Sequence, residues 1–410
     1  MDPYRLSCST VWAPTATAYY KYYKGECSET VKKFLIFFLL VLNMLSYGCS
    51  MPIENYNMVL LFGIDKDVRT GGYEVTFQLP KMGKGRGESL SLGNETITVS
   101  GTGDSVELAV KDAYIKSSRV PFLGHIQAVL IGEDMGREGI TELVNLFKRD
   151  PKYTLTPWMF TVDGRAKDVL EANFEYDTMP AFAIVHITRD ISKYSLKFYA
   201  VQLNKFLENI EALPHAALMG RIRLDKDGDK EVMRVYGASI YKDGKLIGML
   251  DEGDTVACNW LFGRVKSTDI VTRLPSSGAT VNVGIEEGRT VIKPIVRDNS
   301  LVYMINVKVT GYVEQSTLYP DFANDPTIMY EINNEVGKSI ETYITSIVEK
   351  AQEQRVDFLG FEKVLEHTNP VVWEQTKEDW DNIFPSILIE VRAEASIKDT
   401  GWILNNPEVY

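Results

Sequence analysis

The chain is 410 residues long and carries 44 Lys/Arg against 56 Asp/Glu, a formal net charge of −12. That balance argues against nucleic acid as a partner and against flat adsorption on an anionic membrane. After Cys49 the only cysteine is Cys258, so a chain that starts at Cys49 holds no internal disulfide and must rest on apolar burial.

Residues 1–30 are aromatic and polar and contain Cys8 and Cys27, unlike the short basic start of a secretory signal. Translation from Val31 would instead give a product that begins Met-Lys-Lys-Phe-Leu, and the sequence leaves Met1 and Val31 both open as the start. Phe34 to Leu42 is an apolar run of nine residues, or about a dozen with Met44 and Leu45. It suits a signal peptide and falls short of the ~20 apolar residues of a membrane span. Gly48-Cys49 then reads as a lipoprotein cleavage site, with Cys49 the new N-terminus and the lipid attachment point. Leu45 stands one position further out than usual in such sites, and Tyr47 is bulky. An ordinary signal peptide, or a signal-anchor with an incidental cysteine, is the alternative. Past residue 48 there remain 39 basic and 53 acidic residues, a net charge of −14. A membrane link must therefore come from the anchor, where two acyl chains suffice, or from a protein partner.

Residues 1–48 are thus an N-terminal extension with a signal, and 49–57 a lipidated spacer. Met58 to Ile64 reads as a buried strand, Gly71-Gly72 as a turn, and Tyr73 to Leu79 as an alternating strand. Residues 81–94, with four glycines, read as a mobile loop. A strand over Glu95 to Ser100 precedes a helix capped by Asp104, with Val106, Ala109, Val110 and Ala113 inward. Next come a strand at Ile126 to Ile131, a helix at Ile140 to Phe147, a strand around Leu155 to Val162 and a short helix at Ala166 to Leu170. This mixture predicts an α+β or α/β domain over 58–198.

A middle domain, 199–268, opens with a helix at Val201 to Leu213 and continues as a meander from Arg221 to Ile247 with Asp-Gly turns. A C-terminal α+β domain, 269–402, has strands between Ile270 and Gln315 and a long helix over 326–355. Asp325 caps that helix, Pro326 opens it, and a stripe of Ile328, Ile332, Val336, Ile340, Ile344, Ile347 and Ala351 packs on a sheet with Ile387 to Val391. Trp373 and Trp380 pack beneath the connection, and 403–410 form a tail.

The search for chemistry finds little. His125, His186, His215 and His367 share no metal-ligand spacing with one another or with a cysteine. Asp225-x-Asp-Gly-Asp begins like a calcium loop, but the sixth and twelfth positions are Lys230 and Tyr236, where Gly and Glu are needed. Gly83-Lys-Gly-Arg-Gly87 lacks the Gly-Lys-Ser/Thr ending of a phosphate loop. No Gly-x-Ser-x-Gly or His-Glu-x-x-His occurs. Cys258 reads as a small buried hydrophobe. The expectation is a non-enzyme with no cofactor and no metal.

The order of segments says more. Leu61-Phe-Gly-Ile-Asp-Lys66 is followed by Gly124-His-Ile-Gln-Ala-Val-Leu-Ile-Gly132, Arg137-Glu-Gly-Ile140, Lys148-Arg-Asp-Pro151 and Gly164-Arg-Ala-Lys-Asp-Val-Leu-Glu171. Then come Gly237-Ala-Ser-Ile-Tyr-Lys-Asp-Gly-Lys-Leu-Ile-Gly248, Val356-Asp-Phe-Leu-Gly360, Asn369-Pro-Val-Val-Trp373, Trp380, Phe384-Pro385 and Lys398-Asp-Thr-Gly401. This series resembles the Ger(x)C family, the C subunits of spore nutrient germinant receptors, over nearly all of residues 49–402. The family usually shows Trp-Asp directly after the cysteine, where Ser50-Met51 stand here. The resemblance implies three extracytoplasmic α+β domains and no catalytic residues. It implies a lipoprotein on the outer face of the spore inner membrane, docked to integral membrane A and B subunits. A second reading is an extracytoplasmic small-molecule binding protein that captures the germinant itself; a cell-wall enzyme is a weaker third. Direct binding predicts one deep pocket with converging polar groups at a domain boundary, and docking predicts a broad patch.

Overall fold

A computed structural model of the chain describes residues 33–38, 55–84, 90–172, 179–193, 195–228, 230–298, 300–317 and 325–399. Two compact units, Met1–Ile53 and Glu54–Tyr410, divide the chain. In the first, residues 33–38 are helical. The second opens with β1 (Tyr56–Met58), β2 (Leu61–Lys66), β3 (Tyr73–Lys84), β4 (Leu90–Gly103), α1 (Val106–Lys116), β5 (Val120–Phe122), β6 (Ala128–Gly132), α2 (Glu133–Glu138) and α3 (Thr141–Arg149). It continues through β7 (Trp158–Val162), α4 (Ala166–Glu171), α5 (Pro180–Arg189), α6 (Leu203–Glu211), β8 (Ala216–Asp227), β9 (Lys230–Lys242), β10 (Lys245–Leu250) and α7 (Glu252–Leu261). β11 (Thr268–Arg273), β12 (Thr280–Arg297), β13 (Ser300–Ser316), α8 (Pro326–Glu353), α9 (Phe361–Thr368), α10 (Pro370–Thr376), α11 (Trp380–Ile383) and β14 (Leu388–Asp399) follow.

The larger sheet has the order β10-β9-β8-β7-β6-β2-β3-β4. Its middle strands, β8, β7, β6 and β2, run parallel, and antiparallel hairpins extend it at both sides. Both faces are covered, which is why the middle strands read as continuous apolar runs. Phe62, Ile64, Val129 and Ile131 face α1 and α3; Leu61, Leu130, Phe160 and Val162 face α4 and α5. The predicted meander is present as β8–β10 and belongs to this same sheet. Its second turn is Asp243-Gly244, with φ of 51° and 75°, the two left-handed residues a tight hairpin needs.

Two local expectations are corrected. The loop expected over 81–94 is largely hairpin: β3 runs to Lys84, β4 starts at Leu90, and Met82 pairs with Leu92. Glycine weakens a strand but leaves the backbone free to pair, and the ladder through Leu79 and Ile97 resumes beyond a register shift between Pro80 and Met82. Residues 85–89 lie outside the described residues. Ser105, not Asp104, caps α1, its Oγ accepting from Leu108 N–H at 3.3 Å. His125 sits in a short 3-10 turn, Leu123–His125, just before β6.

The smaller sheet has the order β11-β12-β13-β14, with β14 returning parallel to β13 after the helical crossover. α8 starts as expected: Asp325 accepts from Thr327 N–H at 2.8 Å. Ile332, Val336, Ile340, Ile344, Ile347 and Ala351 are buried and Ile328 partly so. Each fully buried isoleucine or valine of this stripe contributes about 1.5–3 kcal/mol on removal from water. α8 also guards the open edge of β14. Asn333 and Glu341 accept from Ile397 N–H at 2.7 Å and Ala393 N–H at 2.9 Å. Gly337 permits the approach, since a Cβ there would meet Ala393 O at 2.8 Å. Edge strands left bare invite pairing with other chains, and this one is covered. One apolar core runs from Phe62 through Cys258 and Trp260 of α7 to Ile340 of α8, so the two sheets share it.

Candidate functional site

Cys49, the expected lipid attachment point, lies outside the described residues, as do Cys8 and Cys27. Cys258 is fully buried in α7, and that burial pushes its thiol far above the ordinary range, so it is inert. The histidines are scattered. His125 lies against the Phe122 ring at 5.3 Å, and His186 Nδ1 is 3.2 Å from Asp190, one helical turn away. His215 and His367 approach the backbone carbonyls of Ile210 and Lys363 at 3.1 and 2.9 Å. Asp225 pairs with Arg223 on β8. Among the described residues no group of three or more His, Cys, Asp or Glu is placed to hold a metal.

What the structure does gather are three polar centres, each built from segments singled out in the sequence. The first is Asp65 at the end of β2, 2% exposed. Its two oxygens accept from Ala166 N–H at 2.7 Å and Lys167 N–H at 2.9 Å, fixing the start of α4 to the parallel strands. Gly132 ends β6 beside it, and Glu133 N–H donates to Gly164 O at 2.9 Å. The segments 61–66, 124–132 and 164–171 therefore meet at one point, the C-terminal ends of the parallel strands. Glu74 completes it, accepting from Lys167 Nζ at 2.8 Å and from Arg165. Burial pushes the Asp65 carboxyl up to about 6 against the pull of the two N–H groups and Arg165.

The second centre is Asp163, at the end of β7. Arg221 of β8 grips it through both carboxylate oxygens at 2.8 and 2.9 Å, and the Tyr236 hydroxyl of β9 donates to it. Arg221 and Arg223 stack on the Tyr236 ring at 4.6 and 4.5 Å. Burial, and then the Asp163 carboxylate, raise the Tyr236 hydroxyl. The fork geometry of Arg221 fixes the neighbours β7, β8 and β9 in register.

The third centre is Asp357, in the turn between α8 and α9. It is 2% exposed and accepts from the N–H groups of Gly360 at 2.9 Å, Phe361 at 3.2 Å and Glu362 at 2.9 Å. Trp380 Nε1–H adds a fourth bond at 3.1 Å. The Trp380 ring meets Trp373 edge-on at 5.6 Å, so both tryptophans sit under this connection as expected. Glu362 is also buried; desolvation first, and then the neighbouring Asp357 charge, push its carboxyl well above the usual range. Its Oε2 has no hydrogen-bond partner. A protonated Glu362 beside an Asp357 that accepts from four donors is the arrangement this burial favours.

All three carboxylates are committed to backbone N–H groups, an arginine fork or an indole, and what they do is hold layers together. Sequence reasoning missed this use of Asp65 and Asp357. It also missed α7, although Asp251 and Asp254 form a reciprocal capping box at its start, a pattern visible in the sequence.

The two sheets border one cleft of about 410 Å³, lined by Leu218, Leu261, Phe262, Arg264, Ile292 and Glu362 among others. Arg264 stacks on Tyr199 at 4.2 Å and donates to Ala200 O at 3.0 Å. Among the described residues no helix is long and apolar enough to cross a membrane.

Comparison with known proteins matches the two halves separately. Residues 50–224 match the spore germination protein N-terminal domain, and residues 236–401 match the family described as spore germination B3/GerAC like, C-terminal. Spore germination protein KC of Bacillus subtilis (strain 168) is 24% identical over 323 residues, covering 74% of this chain and 79% of the relative. Spore germination protein B3 of the same organism is 22% identical over 367 residues, covering 87% and 94%. The crystal structure of the GerBC protein is similar in fold, with a TM-score of 0.51, 21% identity and coverage of 82% of this chain and 96% of that one. With both halves matched in order and the motif segments meeting at shared structural centres, the chain belongs to the Ger(x)C family of spore germination proteins.

Proposed function

We propose that the chain is a non-catalytic lipoprotein subunit of a nutrient germinant receptor. In this reading Cys49 carries the lipid, and the folded part stands on the outer face of the spore inner membrane. There it docks with integral membrane A and B subunits to support germination. The observation that carries the reading is how the carboxylates of the three polar centres are used. Asp65, Asp163 and Asp357 are spent on holding sheets and helices, which suits a rigid body presented to partners. Co-purification tests it: the full chain, expressed with the A and B subunits of its receptor, is retained by a tagged A or B subunit in mild detergent. Recovery of the tagged subunits without it would sink the docking reading.

A second reading, direct capture of a small molecule, is favoured by the cleft between the two sheets. Its volume falls within the range of ligand pockets, and Arg264 and Glu362 bring polar groups to apolar walls. Calorimetric titration of the full chain with candidate nutrients separates the two. Saturable heat from the isolated chain favours capture, and its absence favours docking.

A further inference from the structure

β1 and β5 form a small parallel ribbon outside both large sheets, with Tyr56 opposite Val120, Asn57 opposite Pro121 and Met58 opposite Phe122. Asn57 and Pro121 point inward and are buried. The outward face is therefore Tyr56, Met58, Val120 and Phe122, every one apolar or aromatic. Val120 is 45% exposed and Phe122 41% exposed, and the Tyr56 ring meets Phe122 edge-on at 5.8 Å. Ile115, in the last turn of α1, is 84% exposed. It belongs to the same end of the molecule, because Ser117 just beyond it accepts from Asn57 Nδ2 at 3.1 Å.

The β5 side of this face differs in charge from the rest of the chain. From Ile115 to Gln127 there is no acidic residue, while Lys116, Arg119 and His125 occur there, in a protein of net charge −12. The flanking acid that touches the stretch, Asp112, is paired with Lys116 at 2.6 Å. Apolar and aromatic side chains on a stretch free of acidic residues suit the boundary between lipid headgroups and acyl chains.

Chain length supplies the occupant. Only six residues, 50–55, separate Cys49 from Tyr56. Fully extended they reach at most about 20–25 Å, so a lipid on Cys49 keeps this ribbon within that distance of the bilayer. We propose that the outward face of the β1–β5 ribbon, with Ile115, rests on the bilayer surface and fixes the orientation in which the folded part stands on the membrane. The inference depends on the anchoring of Cys49 given above. The anchor sets distance and the ribbon sets orientation.

Site-directed spin labelling of the acylated full chain tests it. Ile115→Cys reports on the patch and Val296→Cys, 56% exposed in the smaller sheet, is the control; both sites are exposed enough to carry a label without disturbing the fold. The chain without an added cysteine gives the blank for buried Cys258. On vesicles of phosphatidylcholine and phosphatidylglycerol, flotation reports anchoring and the labels report orientation. The expected result is a severalfold rise in collisions with oxygen relative to a water-soluble nickel chelate at residue 115, and no change at residue 296. A chain that floats while both labels stay in water overturns the orientation and leaves the anchor standing. A label at 115 that changes only when the membrane subunits are added makes the ribbon a protein contact and also overturns it. A chain that fails to float overturns both readings.

Discussion

Asp65 and Gly132 occupy the same space: a Cβ on Gly132 would lie 2.1 Å from Asp65 Oδ1. The two residues end neighbouring parallel strands, and the absence of a side chain on one is the condition for the carboxylate of the other. Asp65 cannot swing aside, because Ala166 and Lys167 N–H hold both of its oxygens. Gly132→Ala should therefore cost about 2–3 kcal/mol, at the upper end of what overpacking a tight site does. Urea denaturation of the variant against the parent measures it, and an unchanged midpoint would show that Asp65 has room to move.

Glu362 gives stability a dependence on pH whose sign is fixed. Its folded-state carboxyl is raised by burial and by Asp357, whereas in the unfolded chain it titrates near 4.5. Above about pH 4.5 the unfolded state sheds a proton that the folded state keeps. Stability is then fully present below that pH and is lost as pH rises toward the folded value, by up to about 1.4 kcal/mol per pH unit. Asp65, raised to about 6, adds the same sign between about pH 4 and 6. Glu362→Gln imitates the protonated acid, so it should match the parent near pH 4.5, exceed it at pH 7–8, and flatten the profile. Parallel profiles for the two proteins from pH 4.5 to 8 would falsify the assignment of a proton to Glu362.

Which parts of this structure were legible beforehand follows from which interactions leave a local trace. α8 was plain because Asp325, Pro326 and an isoleucine stripe at helical spacing all lie in one window. The turn at Asp243-Gly244 was plain because two left-handed positions demand such residues. α7 was missed because Val256, Ala257, Cys258 and Trp260 read as an apolar run. The roles of Asp65 and Asp357 were illegible for another reason. Their partners are largely backbone N–H groups, which carry no sequence signature, and for Asp65 they lie about a hundred residues away. The exchange of loop for hairpin over 81–94 has the same root, since ladder hydrogen bonds are indifferent to side chains. The resemblance supplied the family, and composition alone did not reach it. Cys49 remains a site read from the signal-like sequence before it.

Trp380 tests whether the four bonds to Asp357 matter as a set. Trp380→Phe keeps an aromatic ring beside Trp373 and Phe384 but removes the Nε1–H that reaches Asp357. A buried carboxylate then loses one of four donors, and hydrogen bonds to charged groups are worth about 1.5–3 kcal/mol. We expect a loss of that size in urea denaturation. If Trp380→Phe is instead neutral, water has taken the place of the indole and the centre is wetter than its burial indicates.

Cys49→Ala separates anchoring from folding. The residue lies ahead of Tyr56, where the first described strand begins. Its loss should leave the denaturation midpoint unchanged within experimental error. If Cys49 carries the lipid, the variant expressed without its A and B subunits should move from the membrane fraction to the soluble fraction. The ribbon face alone should not retain it, because a few side chains in the interface bind far more weakly than acyl chains. With the A and B subunits present, partial retention is the expected outcome of docking. Full retention in their absence would move the membrane attachment to another part of the chain and remove Cys49 from the account.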